Sequence, residues 1–334
     1  MGAKFNIVIP SIQLSTELKY TLKKLEKINY KSFIVTIVLN KKNFKRIPKF
    51  SFPLKILITN KMNMSAKRNL AVRKFNSKYI AFLDSDAYPN NKWLINAEKI
   101  LKKKIADIIG GPSVPFPNQS YFEMICHYSK RSFFLTGSLN FRKYLSFDTY
   151  CDWLESCNFL MLRKDYLRYK GMDENIFLGE DKKFFEKCYN KNNNIKIFFS
   201  KNLYIFHKER NFYKFILQRF SFGLDIINIL NFRGKLYSFQ PILPLFVLIS
   251  FIVFSYIEIT HCNTINKSLS IFFFVQALVM LNLICYLKRI DKIIFTLISI
   301  NIANVSYAFG NLLKFIGFAR FCTKKAYRQS RSNK

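Results

Sequence analysis

Two carboxylates stand one residue apart directly after an apolar run: Asp84 and Asp86 follow Tyr79–Leu83. The run is short, apolar and partly aromatic, which predicts a buried strand. Hard cations such as Mg²⁺ and Mn²⁺ favour oxygen ligands, and Mg²⁺ commonly uses one or two carboxylates plus substrate phosphates. Ser85 and Asn90 are turn residues, so a plain polar turn is the alternative interpretation.

A second pair of carboxylates, Glu180 and Asp181, follows Gly179 and precedes a helical pattern over 182–189. A single carboxylate near an acceptor hydroxyl can serve as a general base. Two close carboxylates raise the pKa of one of them toward neutrality. Ordinary acidic capping of the helix is the alternative for this pair.

The elements that must position these carboxylates alternate between strand and helix patterns. Strands are predicted at 5–10, 33–39, 54–58, 79–83 and 105–109, and helices at 18–28, 65–75 and 91–104. Ser15 or Thr16 is expected to cap the first helix and Ser65 the second. The alternation predicts an α/β fold with a mostly parallel central sheet flanked by helices. The right-handed crossover rule then places Pro10, Asn40 and Asp84 along one sheet edge, where ligands bind.

The composition restricts the class of partner. The net charge is +34, from 54 Lys and Arg against 20 Asp and Glu, which favours phosphorylated ligands or anionic lipid. The apolar fraction of 50% excludes a disordered basic tail. Because no zinc-finger or RNA-binding signature is present, no nucleic acid is expected. The seven cysteines include no CxxC pair, which favours reduced thiols in a cytosolic compartment.

Seven short motifs in the first 210 residues resemble family 2 glycosyltransferases of the GT-A fold in order and spacing. They are Ile7-Val-Ile-Pro-Ser11, Ser65-Ala-Lys-Arg-Asn69, Phe82-Leu-Asp-Ser-Asp86, Gly110-Gly111, Ser156-Cys-Asn158, Gly171-Met-Asp-Glu174 and Gly179-Glu-Asp181. The resemblance implies transfer of a sugar from a nucleotide-sugar donor. It also implies a divalent metal, Mg²⁺ or Mn²⁺, on the donor diphosphate.

The resemblance also implies roles for individual residues. Donor binding is implied for Pro10, Ser11, Asn40, Asp84 and Ser85, and metal binding for Asp84, Asp86 and His207. Lys67 and Arg68 are expected to bind the donor because they stand in the first turn of a predicted helix, where free N–H groups and the helix dipole favour anions. Asp181 is the implied catalytic base, and Glu180, Trp153 and Glu155 are the expected acceptor-binding residues. A solvated face for Lys67 and Arg68, a core Trp153 and a structural His207 remain as alternatives.

Two departures from the family pattern concern the donor base. An acidic residue usually ends the second strand, but Asn40 stands there. The segment Ser11-Ile12-Gln13 also replaces a Tyr-Asn or similar pair. The identity of the nucleotide base therefore stays open.

The second part of the chain has the composition of a membrane segment. Residues 1–210 are predicted to form the catalytic domain, 211–238 an amphipathic interfacial helix, 239–317 a membrane segment and 318–334 a basic tail. A core helix is the alternative for the interfacial segment. Two spans are expected at 239–259 and 269–287, and 293–317 is a third apolar segment.

The distribution of Lys and Arg predicts the orientation of these spans. Basic residues flank both spans on one side, which puts the catalytic domain in the cytoplasm at the inner membrane. A third full span would carry the basic tail outside, so 293–317 is expected to be re-entrant or surface-lying, with plain spanning as the alternative. Its Asn301, Asn304 and Asn311 need polar partners within lipid.

Together these features predict a membrane-anchored, metal-dependent, inverting glycosyltransferase. Its acceptor is expected to be a lipid-linked or other saccharide near the membrane, in envelope polysaccharide or glycolipid synthesis. Transfer directly to polyprenyl phosphate is one alternative. Another alternative is a non-catalytic basic membrane protein that binds anionic lipid or nucleic acid. Such binding requires only the high positive charge of the chain.

Overall fold

The structure is a computed structural model that describes residues 3–40, 48–225, 231–232, 235–236, 242–261 and 266–317. The chain divides into two compact units. The first comprises Met1–Phe116 and Phe141–Lys208, and the second comprises Pro117–Asn140 and Glu209–Lys334. The basic tail and the loop between the two predicted spans lie outside the described residues.

The first unit is built on an eight-stranded sheet. Its strands are β1 Phe5–Pro10, β2 Phe33–Leu39, β3 Leu54–Ile58, β4 Tyr79–Leu83, β6 Ile108–Gly110, β8 Thr149–Tyr150, β9 Asn158–Leu162 and β10 Ile197–Phe199. The order is β3-β2-β1-β4-β9-β6-β10-β8. The first four strands run parallel, β9 lies antiparallel between β4 and β6, and β8 is an antiparallel edge. This arrangement confirms the predicted α/β class.

A smaller sheet of three strands includes the strand that directly follows the two aspartates. It has the order β5-β11-β7, formed by β5 Ala87–Pro89, β7 Ser113–Pro115 and β11 Ile205–His207. Strand β11 is antiparallel to β5 and parallel to β7. The five helices of the first unit are α1 Thr16–Leu25, α2 Met64–Lys74, α3 Trp93–Lys102, α6 Arg163–Arg168 and α7 Glu180–Lys191.

The core explains why these segments become strands and helices. Every residue of β1 and β4 is buried, as their largely apolar sequences predict. Ser15 caps α1 as expected, accepting a hydrogen bond from the backbone N–H of Leu18. The expected cap at Ser65 is wrong, because α2 begins at Met64 and the Asn63 side chain accepts from two backbone N–H groups. Lys67 and Arg68 consequently lie beyond the first turn of α2.

The second unit is mostly helical. Its elements are α4 Tyr121–Arg131, α5 Phe133–Thr136, α8 Phe212–Leu224, the strand pair Asn231–Phe232 and Lys235–Leu236, and three helices, Leu243–His261, Asn266–Ile284 and Ile290–Phe315. The amphipathic helix predicted from residue 211 begins after its Asn211 cap and ends at Leu224. It packs along the Ile290–Phe315 helix, as does α4.

The third apolar segment is one continuous helix, Ile290–Phe315. The reversal that a re-entrant segment needs is absent within this range, and the continuous helix is compatible with a surface-lying or a spanning segment. The need for polar partners is confirmed, because the amides of Asn301 and Gln276 exchange hydrogen bonds of 2.8 and 3.1 Å. The Asn304 amide donates to the carbonyl of Phe134 at 3.2 Å. Helix packing therefore supplies polar partners to Asn301 and Asn304.

Two glycines set the close approach of α8 to the Ile290–Phe315 helix. A Cβ on Gly223 would lie 2.2 Å from the carbonyl oxygen of Tyr307. A Cβ on Gly310 would lie 2.4 Å from the carbonyl oxygen of Phe220. Both obstacles are backbone atoms, which cannot turn aside as a flexible side chain can. The two helices therefore need glycine, which has no Cβ, at both positions of this crossing.

We expect Gly223→Ala and Gly310→Ala each to destabilise the protein by about 1–3 kcal/mol, because overpacking forces the helices apart. Within an isolated helix the same change stabilises by roughly 0.5–1 kcal/mol, so a loss must come from the crossing. Thermal unfolding of the detergent-solubilised chain measures the effect. The control is Val305→Ala, at a side chain 52% exposed on the same helix. Variants that melt at or above the wild-type temperature would contradict the close packing.

Candidate active site

Asp84, Asp86 and His207 form a cluster at the junction of the two sheets. Asp84 follows β4, Asp86 precedes β5, and His207 ends β11, where it pairs with Ala87. The His207 Nε2 atom lies 3.8 Å from Asp84 Oδ2 and 3.7 Å from Asp86 Oδ1. One ligand atom from each residue fits within 4.8 Å of the others. The predicted metal-binding residues are thus brought together in three dimensions.

The hydrogen bond made by His207 is of the kind that orients a metal-binding histidine. Its Nδ1 atom lies 2.9 Å from the backbone carbonyl oxygen of Lys208. A carbonyl only accepts, so Nδ1 carries the hydrogen in this contact, and the lone pair of the neutral ring is at Nε2. Nε2 is the atom that faces the two carboxylates. Two carboxylates and one imidazole form a donor set that fits Mn²⁺ or Mg²⁺, with room left for phosphate oxygens.

Arg68 connects the cluster of Asp84, Asp86 and His207 to the second pair of carboxylates. Its side chain is fully buried on α2. Nη2 donates to Asp84 Oδ1 at 2.9 Å, and Nη1 lies 3.5 Å from Glu180 Oε1. One carboxylate oxygen of Asp84 is therefore held by Arg68 while the other faces His207. The alternative of a solvated face is wrong for Arg68.

Lys67 is also fully buried, which excludes a solvated face for this residue too. Its Nζ donates to the carbonyl oxygen of Ser11 at 2.5 Å and to Asn40 Oδ1 at 2.6 Å. The Asn40 Nδ2 group in turn donates to the carbonyls of Thr59 and Lys61. The ammonium thus ties together the carboxyl ends of β1 and β2. Both ends of the Asn40 amide are engaged where the family pattern has an acidic residue.

The remaining expected donor residues lie at the same sheet edge. Pro10 ends β1, and Ser11 follows it with its side chain buried. The Ser85 carbonyl accepts a hydrogen bond of 3.0 Å from the Thr21 hydroxyl on α1. This bond fixes the turn between Asp84 and Asp86. The donor-binding role of Pro10, Ser11 and Ser85 stays a prediction.

Asp181 is poised to change its protonation near neutral pH. It stands in the first turn of α7, where its two oxygens accept from the backbone N–H groups of Ser156, at 3.2 Å, and Lys182, at 2.8 Å. Burial and the neighbouring charges of Glu180 and Glu155 raise its pKa to about 7, against the two hydrogen bonds. Such a pKa suits a general base at physiological pH.

The expected acceptor residues lie in two small networks. Glu155 accepts two hydrogen bonds from Lys143, at 2.8 and 2.9 Å, and one from the Ser113 hydroxyl. Burial opposes ionisation of Glu155, but the Lys143 and Arg142 charges outweigh it and lower the pKa. The Arg142 guanidinium lies 3.9 Å from the Trp153 ring centroid. One face of the Trp153 ring is therefore covered by the Arg142 guanidinium.

Sequence reasoning missed Arg142 and Lys143. They lie in a 3₁₀ segment, Gly137–Lys143, far from any recognised motif. In a chain with 54 Lys and Arg, a basic residue gives no local signal of function. Their contacts with Trp153 and Glu155 arise only when the chain folds.

Comparisons with known proteins were made against families, curated sequences and solved structures. The family described as Glycosyl transferase family 2 matches residues 7–167. No curated protein matches the chain. The crystal structure of S. aureus TarS 1-349 is 13% identical, with 94% of this chain and 92% of that one covered and a TM-score of 0.47.

Two further S. aureus structures are similar at the same level. TarS 1-349 in complex with UDP-GlcNAc is 15% identical, with the same coverage of 94% and 92% and a TM-score of 0.46. The longer TarS structure is 17% identical with a TM-score of 0.45, and 66% of this chain is covered. The chain spans 40% of the length of that longer protein.

Proposed function

Because this chain belongs to glycosyl transferase family 2 through residues 7–167, we propose that it transfers a sugar from a nucleotide-sugar to an acceptor near a membrane, with inversion at the sugar. Its first unit has the α/β architecture of the GT-A fold. The observation that carries the proposal is the chain of contacts from His207 and Asp84 through Arg68 to Glu180. In this proposal it would connect the diphosphate site with the acceptor site.

The donor half of the site would hold the leaving group. A divalent cation on Asp84, Asp86 and His207 would supply Lewis-acid neutralisation of the diphosphate. Arg68 orients Asp84, and its buried charge adds a positive potential at the same place. Lys67 holds the ends of β1 and β2 at a fixed distance, which shapes the pocket for the nucleotide.

The acceptor half would remove a proton. As the acceptor oxygen forms its bond to the anomeric carbon, the bond from that carbon to the diphosphate breaks and the hydroxyl proton passes to Asp181. A single displacement of this kind inverts the anomeric configuration and needs no enzyme nucleophile. The raised pKa of Asp181 supports a hydroxyl acceptor over polyprenyl phosphate, because an ionised phosphate has no proton to lose.

Membrane association is proposed from the helices of the second unit. Among the described residues, only Ile290–Phe315 is long and apolar enough to cross a membrane. The predicted spans include the shorter apolar stretches Leu243–Ile257 and Leu269–Ile284. Large apolar side chains are exposed on both, among them Phe246, Ile252, Tyr256, Phe273, Phe274 and Leu281. An exposed apolar surface of this kind supports burial in lipid.

The proposed orientation puts the first unit in the cytoplasm, and cysteine labelling tests it. A membrane-impermeant thiol reagent added to intact cells should modify Cys262, in the predicted outside loop, and should not modify a cysteine placed at the exposed Lys103. Cys157 is a poor reporter because its side chain is buried. Lysed cells provide the control, since Lys103→Cys must react there. Labelling of Lys103→Cys in intact cells would reverse the orientation.

A screen of nucleotide-sugars tests the proposed activity. The purified chain is incubated with each donor, with Mn²⁺ or Mg²⁺ and with chelator, and release of nucleoside diphosphate is measured. We expect release from one class of donor, stimulated by metal. Equal release in chelator would overturn the metal dependence, and the absence of any donor binding would overturn the proposed function.

A further inference from the structure

A cleft of about 590 Å³ lies in the first unit, between the end of α1, the amino end of α3 and the strands β5 and β11. Tyr88 and Phe206 pair in the β5–β11 ladder, and the next pair is Ala87 with His207. Side chains alternate across a strand, so Phe206 points to the face opposite His207. The cleft therefore lies on the face of this ladder opposite His207.

The charge of the cleft is entirely positive. Lys24, Lys27 and Lys92 line it, and no carboxylate does. Within the described part of the chain, none of these three ammonium groups forms an ion pair. The Nζ atom of Lys24 lies 5.0 Å from the centroid of the Tyr88 ring. Three cations converge without a protein counter-charge, which favours an anionic ligand.

The amino end of α3 adds to this potential. The helix begins at Trp93 and runs for 10 residues. Its N-cap, Lys92, makes no side-chain cap hydrogen bond, and the first turn contains no acidic residue. The positive end of the helix dipole is therefore not offset by a carboxylate, as it commonly is. A phosphate in the cleft would meet the positive end of this helix dipole as well as the lysines.

Aromatic rings form one wall of the cleft. Tyr88 and Phe206 stack with centroids 4.9 Å apart, and Tyr204 meets Phe206 edge-on at 5.5 Å. Flat apolar faces beside polar groups suit a sugar ring. The ammonium groups bind phosphate as point charges and impose no planar geometry.

We propose that this cleft binds a phosphate-bearing saccharide at a site separate from the donor site. The anion site follows from the lysines and the α3 terminus alone, whereas the identification of the ligand as a saccharide rests on the proposed function. A bound saccharide would lie on the face of the β5–β11 ladder opposite His207. The site would hold part of an anionic glycan while the enzyme acts on another part.

The test is binding of glucose 1-phosphate to the full chain in detergent, with chelator present to remove any metal contribution. We expect Lys27→Glu/Lys92→Glu to weaken binding by at least about tenfold, because two attractive charges become repulsive. Both lysines are exposed, so the fold should tolerate the change. Lys23→Glu/Lys99→Glu, at exposed positions of α1 and α3 outside the cleft, is the matched control and should bind normally.

Comparison ligands test the saccharide assignment. Glucose 1-phosphate should bind more tightly than inorganic phosphate, and glucose should not bind. Equal affinity for phosphate and glucose 1-phosphate would overturn the saccharide assignment, and an equal loss in both double variants would overturn the site. Binding of anionic lipid vesicles that depends on Lys27 and Lys92, without binding of the sugar phosphate, would assign the cleft to lipid and overturn the proposal. If Asp86→Asn turned over normally, the proposed metal mechanism would fail while these binding results stood.

Discussion

Asp181→Asn should lower the rate of sugar transfer by about 10²–10⁴ while leaving nucleotide affinity unchanged. The variant cannot accept a proton, but in the proposed mechanism the diphosphate would be held elsewhere, by Asp84, Asp86 and a cation. Donor titration and product formation, measured on the same preparation, separate the two effects. Asparagine keeps one oxygen for the backbone N–H of Lys182, so the helix cap is largely preserved.

The pH profile gives an independent readout of Asp181. Because burial and neighbouring carboxylates raise its pKa to about 7, the wild-type rate should rise with pH up to about 7 and then level off. The asparagine variant should lose this dependence. Asp173→Asn is the control, since Asp173 also accepts a backbone N–H bond, from Asn175, but lies outside the site. Near-normal transfer by Asp181→Asn would make Asp181 a helix cap only, and lost nucleotide affinity would place it in the donor site.

Asp86→Asn should reduce turnover by at least about 10²-fold and weaken Mn²⁺ binding in parallel. The substitution removes one of the two negative charges of the cluster while keeping its shape. Asp86 is 40% exposed by its side chain and makes few structural contacts, so the melting temperature should change little. Metal titration without donor measures binding directly, and the activity of the same samples measures turnover.

Asp107→Asn is the matched control for this experiment. Asp107 is an exposed aspartate of the same unit that accepts a 2.8 Å hydrogen bond from the backbone N–H of Lys196. Its loss should affect neither metal affinity nor turnover. Full activity of Asp86→Asn, or equal wild-type activity in chelator, would show that the cluster does not bind a catalytic metal.

Arg68 shows where prediction from the sequence stopped. Its position in Ser65-Ala-Lys-Arg-Asn69 marks it as a donor residue through the family resemblance. The sequence does not say that its side chain is fully buried, or that it contacts both Asp84 and Glu180. Those contacts depend on α2 and α7 meeting the same sheet edge, at separations of 16 and 112 residues in the chain. In a chain with 54 Lys and Arg, only burial distinguishes this arginine from a solvated one.

The sequence by itself determined the first four strands, β1 to β4, and the position of Asp84 and Asp86 at the end of one of them. Apolar runs and the polar residues that end them are local features, so their pattern is readable along the chain. The family resemblance already implied that His207 joins these aspartates. Only the tertiary structure decided that Lys143 neutralises Glu155 and that three lysines share a cleft on the face of the β5–β11 ladder opposite His207. Each of these depends on strand order and helix packing, which bring together residues that carry no mutual signal in the sequence.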